Sequence, residues 1–289
     1  MIFLMTSDLI IHRLQGKRVG LVLSSGFFGF FHHAGVLLSL HHAGIVPTRL
    51  AGNSAGALVG GLLASGLSPE EIRDVLQTLR REDFWDAHFP FGESGFSLLA
   101  GNRFQAVLGR YLKAHTFESC SIPLTTGVFD MDTGRMVYLE TGSLIQAVYA
   151  SSAVPYLFQP AVIDGHRYWD GGFAEKTPLV PFLKHDDVDV ILVSYLPQRG
   201  NAGEKPGIRR FIPPLSALFA DVPYDERMSR DQASLDALVA SGREVLFLKP
   251  NSVSLGPFSL NKGAASLENA QRKTAALLRS EIAAAAPPW

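Results

Sequence analysis

The chain has one cysteine, Cys120, among its 289 residues. No internal disulfide can form, so a fold stapled by cross-links is excluded and a reducing compartment is the expectation. Cys120 reads as a small buried hydrophobe. Long apolar runs are also missing, since no stretch approaches the roughly 18 residues needed to cross a bilayer. The opening MIFLMTSDLI has no basic region and is interrupted at Thr6, Ser7 and Asp8, so it reads poorly as a signal peptide. Charge of one sign is lacking too: 26 Lys and Arg face 27 Asp and Glu, for a net charge of −1. That balance leaves no electrostatic footprint for nucleic acid and no polybasic membrane anchor. No repeat and no Pro/Gly/Ser linker divides the chain. The expectation is one domain over residues 1–289, cytoplasmic, with at most transient contact at a membrane surface.

What is present is a globular composition, 47% apolar and 18% charged, in which strand and helix patterns alternate. RVGLVL (18–23) reads as a buried strand, HHAGVLLSLHHAG (32–44) as a helix ended by glycine, and PTRLAG (47–52) as a second strand. Ser68, Pro69 and Glu71 form a capping box before the next helix. Residues 84–99, aromatic and glycine-rich, read as a loop over the core, a lid or an interfacial segment with Trp85, Phe89 and Phe91. A helix at 102–112 and a hairpin over 123–140, turning near Asp132-Thr133-Gly134, follow. The next helix ends at Pro155, and a second hairpin turns at Asp164-Gly165. A strand at 188–195, a helix at 226–241, the strand EVLFLKP and a C-terminal helix at 264–284 complete the pattern. The fold class is α/β, with a mainly parallel sheet.

Gly52-Asn53-Ser54-Ala55-Gly56 lies between the second strand and a small-residue helix. A G-x-S-x-G there is a nucleophile elbow: a tight turn lifts the hydroxyl above the sheet, at a helix N-terminus that favours developing negative charge. Read blandly, Ser54 merely caps the helix. A serine nucleophile needs a base. Four histidines, His88, His115, His166 and His185, follow Ser54, and His185 alone lies well past the second hairpin. It sits among acidic residues before a strand, a common place for a solvated side chain. Asp170 in YWDGGF is the other candidate, on a sharp turn made by two glycines; burial beside Ser54 would raise its basicity.

A third piece lies in LVLSSGFFGFFHHAG (21–35), a strand, a small-residue turn and a helix. Backbone N–H groups there could converge on an oxyanion, typically worth about 3–4 kcal/mol per donor. The turn has no G-K-[ST], which argues against a phosphate loop. Its phenylalanines suit an acyl chain, although some could simply fill the core.

These three segments in this order resemble the patatin-like phospholipase family. The likeness spans residues 18–179 and includes ASSAVPYLFQPAVIDGHRYWDGGFAEKTPL (150–179). The resemblance implies a three-layer α/β/α sandwich and a Ser–Asp dyad in which Ser54 is the nucleophile and Asp170 the base. It implies oxyanion donors from Gly26, Phe27, Phe28 and Gly29, with Phe27, Phe30 and Asn53 at the substrate. The implied reaction is hydrolysis of fatty-acyl ester lipids, with no metal and no cofactor. The chain departs from the family's G-G-G-x-[RK]-G turn: the basic residue is missing, and phenylalanines replace glycines, which would strain any positive φ at Phe27. Three alternatives remain open: a His185 triad, a lipid-binding protein that has lost its chemistry, and acyl transfer to an alcohol other than water.

Overall fold

The computed structural model describes residues 9–88, 91–92, 95–196, 224–250, 255–256, 259–281 and 286–287. Its strands are β1 (Val19–Leu23), β2 (Pro47–Gly52), β3 (Phe91–Gly92), β4 (Gly95–Phe96), β5 (Leu124–Asp130), β6 (Arg135–Leu139), β7 (Ala161–Ile163), β8 (His166–Asp170), β9 (Val190–Ser194) and β10 (Glu244–Leu248). Its helices are α1 (Ile10–Leu14), α2 (Phe30–His42), α3 (Ala55–Ala64), α4 (Pro69–Thr78), α5 (Asn102–Tyr111), α6 (Leu144–Ser152), α7 (Tyr224–Ala240) and α8 (Gly263–Leu278). Among the described residues no helix is long and apolar enough to cross a membrane.

One sheet runs in the order β10-β9-β1-β2-β5-β8-β7, with β6 also paired to β5. From β10 to β5 every pairing is parallel. Beyond β5 the pairings are antiparallel. The expected mainly parallel sheet is thus present, and its antiparallel part is where both predicted hairpins join it at one side. The second hairpin turns at Asp164 (φ 52°) and Gly165 (φ 82°), the paired positive φ values that a two-residue turn between twisted strands requires.

The strand pleat sorts the core onto two faces. Leu21, Leu23, Leu50, Leu192, Leu246 and Leu248 point to the face covered by α2–α6 and α8. Val22, Ala51, Ile191, Val193 and Phe247 point to the other, where Leu179, Phe182 and the α7 residues Leu235 and Leu238 cover them. This gives helices, sheet and helices in three layers.

Local chemistry explains the helix starts. Glu71 N–H donates to Ser68 Oγ (3.1 Å) and Ser68 N–H to Glu71 Oε2 (2.8 Å), closing the capping box. The α5 start has Gly101 at its cap, and its amides are satisfied from the loop: Gly101 and Arg103 N–H both donate to the Asp86 carboxylate at 3.0 Å. That carboxylate ties the aromatic loop to α5. Within the loop β3 and β4 form a short antiparallel ladder. Phe89 lies outside the described residues, as do residues 282–284 of the expected last helix. Cys120 is half-buried rather than buried, its thiol donating to Thr116 O at 3.5 Å.

Phe182 is fully buried against β1, where Gly20 gives its ring room: a Cβ on Gly20 would stand 2.4 Å from the ring. Phe182→Ala is expected to cost about 3–5 kcal/mol in urea unfolding, the loss of a buried ring plus its cavity.

Candidate active site

The site begins at one edge of β5. Thr126 to Asp130 pair with β6 along one side of that strand. A strand has two edges, so β2, which pairs Gly52 with Thr126, and β8, which pairs Asp170 with Val128, share the opposite edge. They arrive from opposite directions and end facing each other across Gly127. The elbow that follows β2 and the turn that follows β8 are thereby brought together.

At the elbow, Ser54 adopts φ 55° and ψ −119° and opens α3. Such a backbone is costly for a side-chain-bearing residue and persists only where its surroundings hold it. They do so closely. Ser54 N–H donates to Ser151 O (3.0 Å) and Ser151 Oγ (3.1 Å), and the Ser152 hydroxyl donates to Ser54 O at 3.3 Å. A Cβ on Gly56 would stand 2.1 Å from Leu23 O, and one on Gly52 2.5 Å from Gly56 O. Both glycines of the motif are therefore steric requirements of a turn pressed against β1.

Asp170 closes β8 and is 4% exposed. Gly172 N–H donates to Asp170 Oδ1 at 2.7 Å, and the Ser54 hydroxyl stands near enough to the same carboxylate to favour its charged form. Burial pushes the Asp170 carboxyl up to about 7, against smaller downward effects from Ser54, the Gly172 amide and the Arg227 cation. A carboxylate titrating near neutrality beside a hydroxyl can exchange a proton with it at working pH. The two glycines after Asp170 are again steric: a Cβ on Gly171 would lie 2.3 Å from Gly127 O, and one on Gly172 2.4 Å from Ser25 Cβ.

That second contact carries the turn after β1 to the site. Ser25 N–H donates to Lys176 O at 2.8 Å, and Gly29 N–H donates to Gly26 O at 2.9 Å. Gly29 is thus committed inside the turn, which removes its amide from the expected donors. The Gly26 and Phe28 amides meet no acceptor among the described residues. The residue with positive φ is Phe28 (55°), not Phe27. Phe28 packs half-buried against Phe84, with ring centroids 6.2 Å apart, while Phe27 is 37% exposed beside it.

Two residues expected at the substrate are buried instead. Phe30 packs between Phe31 and Phe84, with ring centroids at 4.8 and 6.3 Å, and belongs to the core. Asn53 is fully buried, with Nδ2 donating to Glu175 O (2.8 Å) and Oδ1 over the Cα of Gly127. Asn53 ties the elbow to the loop after Asp170. His185 lies 3.5 Å from Glu140 Oε1, just past β6, and 3.5 Å from Arg49 Nη1 of β2. Asp130, Asp132 and His166 cluster closely enough to hold a cation. However, Asp130 accepts from the turn amides of Asp132 and Thr133, and Asp132 pairs with Arg167.

Sequence reasoning missed a buried polar network behind the site. Glu175 is held by the Tyr138 hydroxyl, and burial raises its carboxyl to about 8. Lys176 lies with Nζ 4.3 Å from the Tyr195 ring centroid, lowered to about 7 by burial and by Arg227. Burial likewise raises Asp231 to about 6. The signal was a Glu-Lys pair with two residues between it and the two glycines, where solvated charge is the ordinary reading.

A family model described as patatin-like phospholipase matches residues 21–183 of this chain. An uncharacterized NTE family protein of Mycobacterium bovis is 29% identical over 172 residues, 58% of this chain and 47% of that protein. Lysophospholipase NTE1 of Cryptococcus neoformans is 29% identical over 196 residues, 64% of this chain and 12% of that protein. The chain spans less than half the length of either relative. The crystal structure of VipD from Legionella pneumophila matches with a TM-score of 0.51 at 16% identity, covering 91% of this chain and 67% of that one, a likeness of fold.

The buried carboxyl has a consequence for stability. Folded Asp170 binds its proton more tightly, at about 7, than the unfolded residue at its ordinary 3.8. Stability should therefore fall as pH rises between these values, because the folded state resists ionisation. Asp170→Asn removes that cost. Urea unfolding should show the variant gaining on the parent from about pH 4 to 7, by on the order of 2–4 kcal/mol, and levelling above.

Proposed function

The chain belongs to the patatin-like phospholipase family, and on that premise we propose that it is a serine lipid acyl hydrolase working through Ser54 and Asp170. Residues 1–289 are read as one domain of this kind. The observation that carries the reading is the approach of the Ser54 hydroxyl to the buried Asp170 carboxylate where β2 and β8 end at the β5 seam. Ser54 Oγ attacks the ester carbonyl as Asp170 takes its proton. The new C–O bond leaves a negative oxygen, which the amides of the Gly26–Phe28 turn and the α3 N-terminus stabilise. The tetrahedral intermediate expels the alcohol, protonated by Asp170, and leaves an acyl-serine. Water, losing a proton to Asp170, attacks the acyl carbon; the acyl–Oγ bond then breaks, Asp170 returns the proton to Ser54 Oγ, and the fatty acid leaves.

The substrate class follows from the surroundings and the family: fatty-acyl ester lipids. The mouth of the turn carries Phe27, and the adjoining loop exposes Trp85 (40%) and Phe96 (39%). Apolar side chains at such positions suit an acyl chain and brief contact with a lipid surface. The same acyl-serine could pass to an alcohol, so transacylation differs from hydrolysis only in which acceptor reaches the site.

Ser54→Ala and Asp170→Asn are each expected to lower hydrolysis of a 4-nitrophenyl acyl ester by at least about a thousandfold while circular dichroism stays unchanged. His185→Ala should keep parental activity; its loss would favour a histidine triad. A fluorophosphonate should label the parent and not Ser54→Ala, and an unlabelled parent would point to a lipid-binding protein without chemistry. The rate should rise with pH through an acid limb near the Asp170 value of about 7. Trp85→Ser with Phe96→Ser should weaken liposome binding and spare hydrolysis of a soluble ester.

A further inference from the structure

Helix α7 lies outside the residues matched by the family model, yet it reaches the loop that carries Asp170. Two of its side chains do so, Arg227 and Asp231, and their i,i+4 spacing puts them on one face of the helix. Arg227 Nη1 donates to Gly172 O at 3.0 Å, in the turn whose amide bonds Asp170. Asp231 is fully buried and accepts three bonds: from Lys176 N–H (3.1 Å), Thr177 N–H (3.3 Å) and the Thr177 hydroxyl (2.9 Å). The next link leaves this loop. Lys176 O accepts Ser25 N–H at 2.8 Å, and Ser25 precedes the Gly26 amide. Ser25 also presses on Gly172 so closely that a Cβ there would not fit. One carboxylate thus fixes the loop that follows the Asp170 turn and, through one carbonyl, the start of the turn offered to the oxyanion.

A fully buried carboxylate is costly to keep. For stability alone an apolar side chain would serve as well or better. Three bonds from one loop, two of them from its backbone amides, match a different requirement. Attack needs hydroxyl, base and oxyanion donors held within a fraction of an ångström, which loops without such support do not provide.

We propose that Arg227 and Asp231 form a clamp on one face of α7, positioning residues that hold the Asp170 turn and the Gly26 turn in register for acyl transfer. The proposal rests on the hydrolase reading above. It also gives the chain a cation beside the site, brought by a helix instead of by the glycine-rich turn. The groups facing the Asp170 carboxylate are the Ser54 hydroxyl from the elbow, the Gly172 amide from its own turn and the Arg227 guanidinium from α7. Lys176 and Asp231 stand behind Arg227 and interact with it. Without the guanidinium, Asp170 should hold its proton to higher pH.

The test uses the full chain, a soluble 4-nitrophenyl ester and five variants. Asp231→Ala should lower kcat at least about tenfold with KM changed less than about threefold, and Asp231→Asn, whose carbonyl can still accept the two amides, should recover much of the loss. Inactivation by a 4-nitrophenyl dialkyl phosphate should slow in parallel. Arg227→Gln should move the acid limb of kcat/KM upward by about half a pH unit or more, and Arg227→Lys should return it toward the parent. Ser54→Ala separates the two claims. If it stays active, the hydrolase reading fails and the clamp with it. If it is inactive while Asp231→Ala keeps its kcat, or Arg227→Gln keeps the parental profile, the clamp alone is overturned. Should Asp231→Ala not fold, the Arg227 pair and Asp231→Asn decide: a parental profile in Arg227→Gln refutes the proposal, and a shift that lysine reverses supports it.

Discussion

Two strands ending against each other along one edge of β5 set everything else in the site. β2 climbs to Gly52 and β8 descends to Asp170, and Gly127 lies between their ends. That residue must be glycine for a plain reason: a Cβ there would sit 2.2 Å from Asn53 Oδ1. Ser151 Oγ donates to the Gly127 carbonyl at 2.7 Å and also accepts the Ser54 amide, so α6 closes the seam from the helical face. The hydroxyl and carboxylate meet because the sheet leaves them no other place to emerge.

Burial then tunes the proposed base. A carboxylate in water is too weak a base to help a serine hydroxyl. The same group, 4% exposed, bonded to one amide and with the Ser54 hydroxyl near it, is poised near neutral pH. Lys176, Glu175 and Asp231 are shifted toward neutrality by the same cause, so the region behind the site holds several ionisable groups close to their switching points. Strain is shared between two loops. Ser54 and Phe28 both hold positive φ, one at the elbow and one in the turn that faces it.

Much of this was legible in the residues because the signals were local. Ser68 and Glu71 announce a helix start, Asp164-Gly165 a hairpin, and Gly-x-Ser-x-Gly an elbow, each within a few positions. The pairing of Ser54 with Asp170 came from family resemblance; no local pattern joins residues so far apart in the chain. What stayed hidden was long-range. Asn53 looked available to substrate beside Ser54 in the elbow, yet β5 and Glu175 enclose it. Gly29 looked like a donor until its amide turned back on Gly26. Arg227 and Asp231 belong to a polar helix on which charge reads as a solvated face, and only the packed loop beneath shows where they point.

The antiparallel entry of β8 bears on how such a chain can change over time. The Asp164-Gly165 tip of its hairpin is remote from Asp170, so residues can be gained or lost there without touching the chemistry. Within β8 no such freedom exists, because adding or removing one residue inverts which face every later side chain occupies. Insertions in this branch of the lineage should therefore collect at the hairpin tip, while the five-residue length of the strand behind it is inherited unaltered.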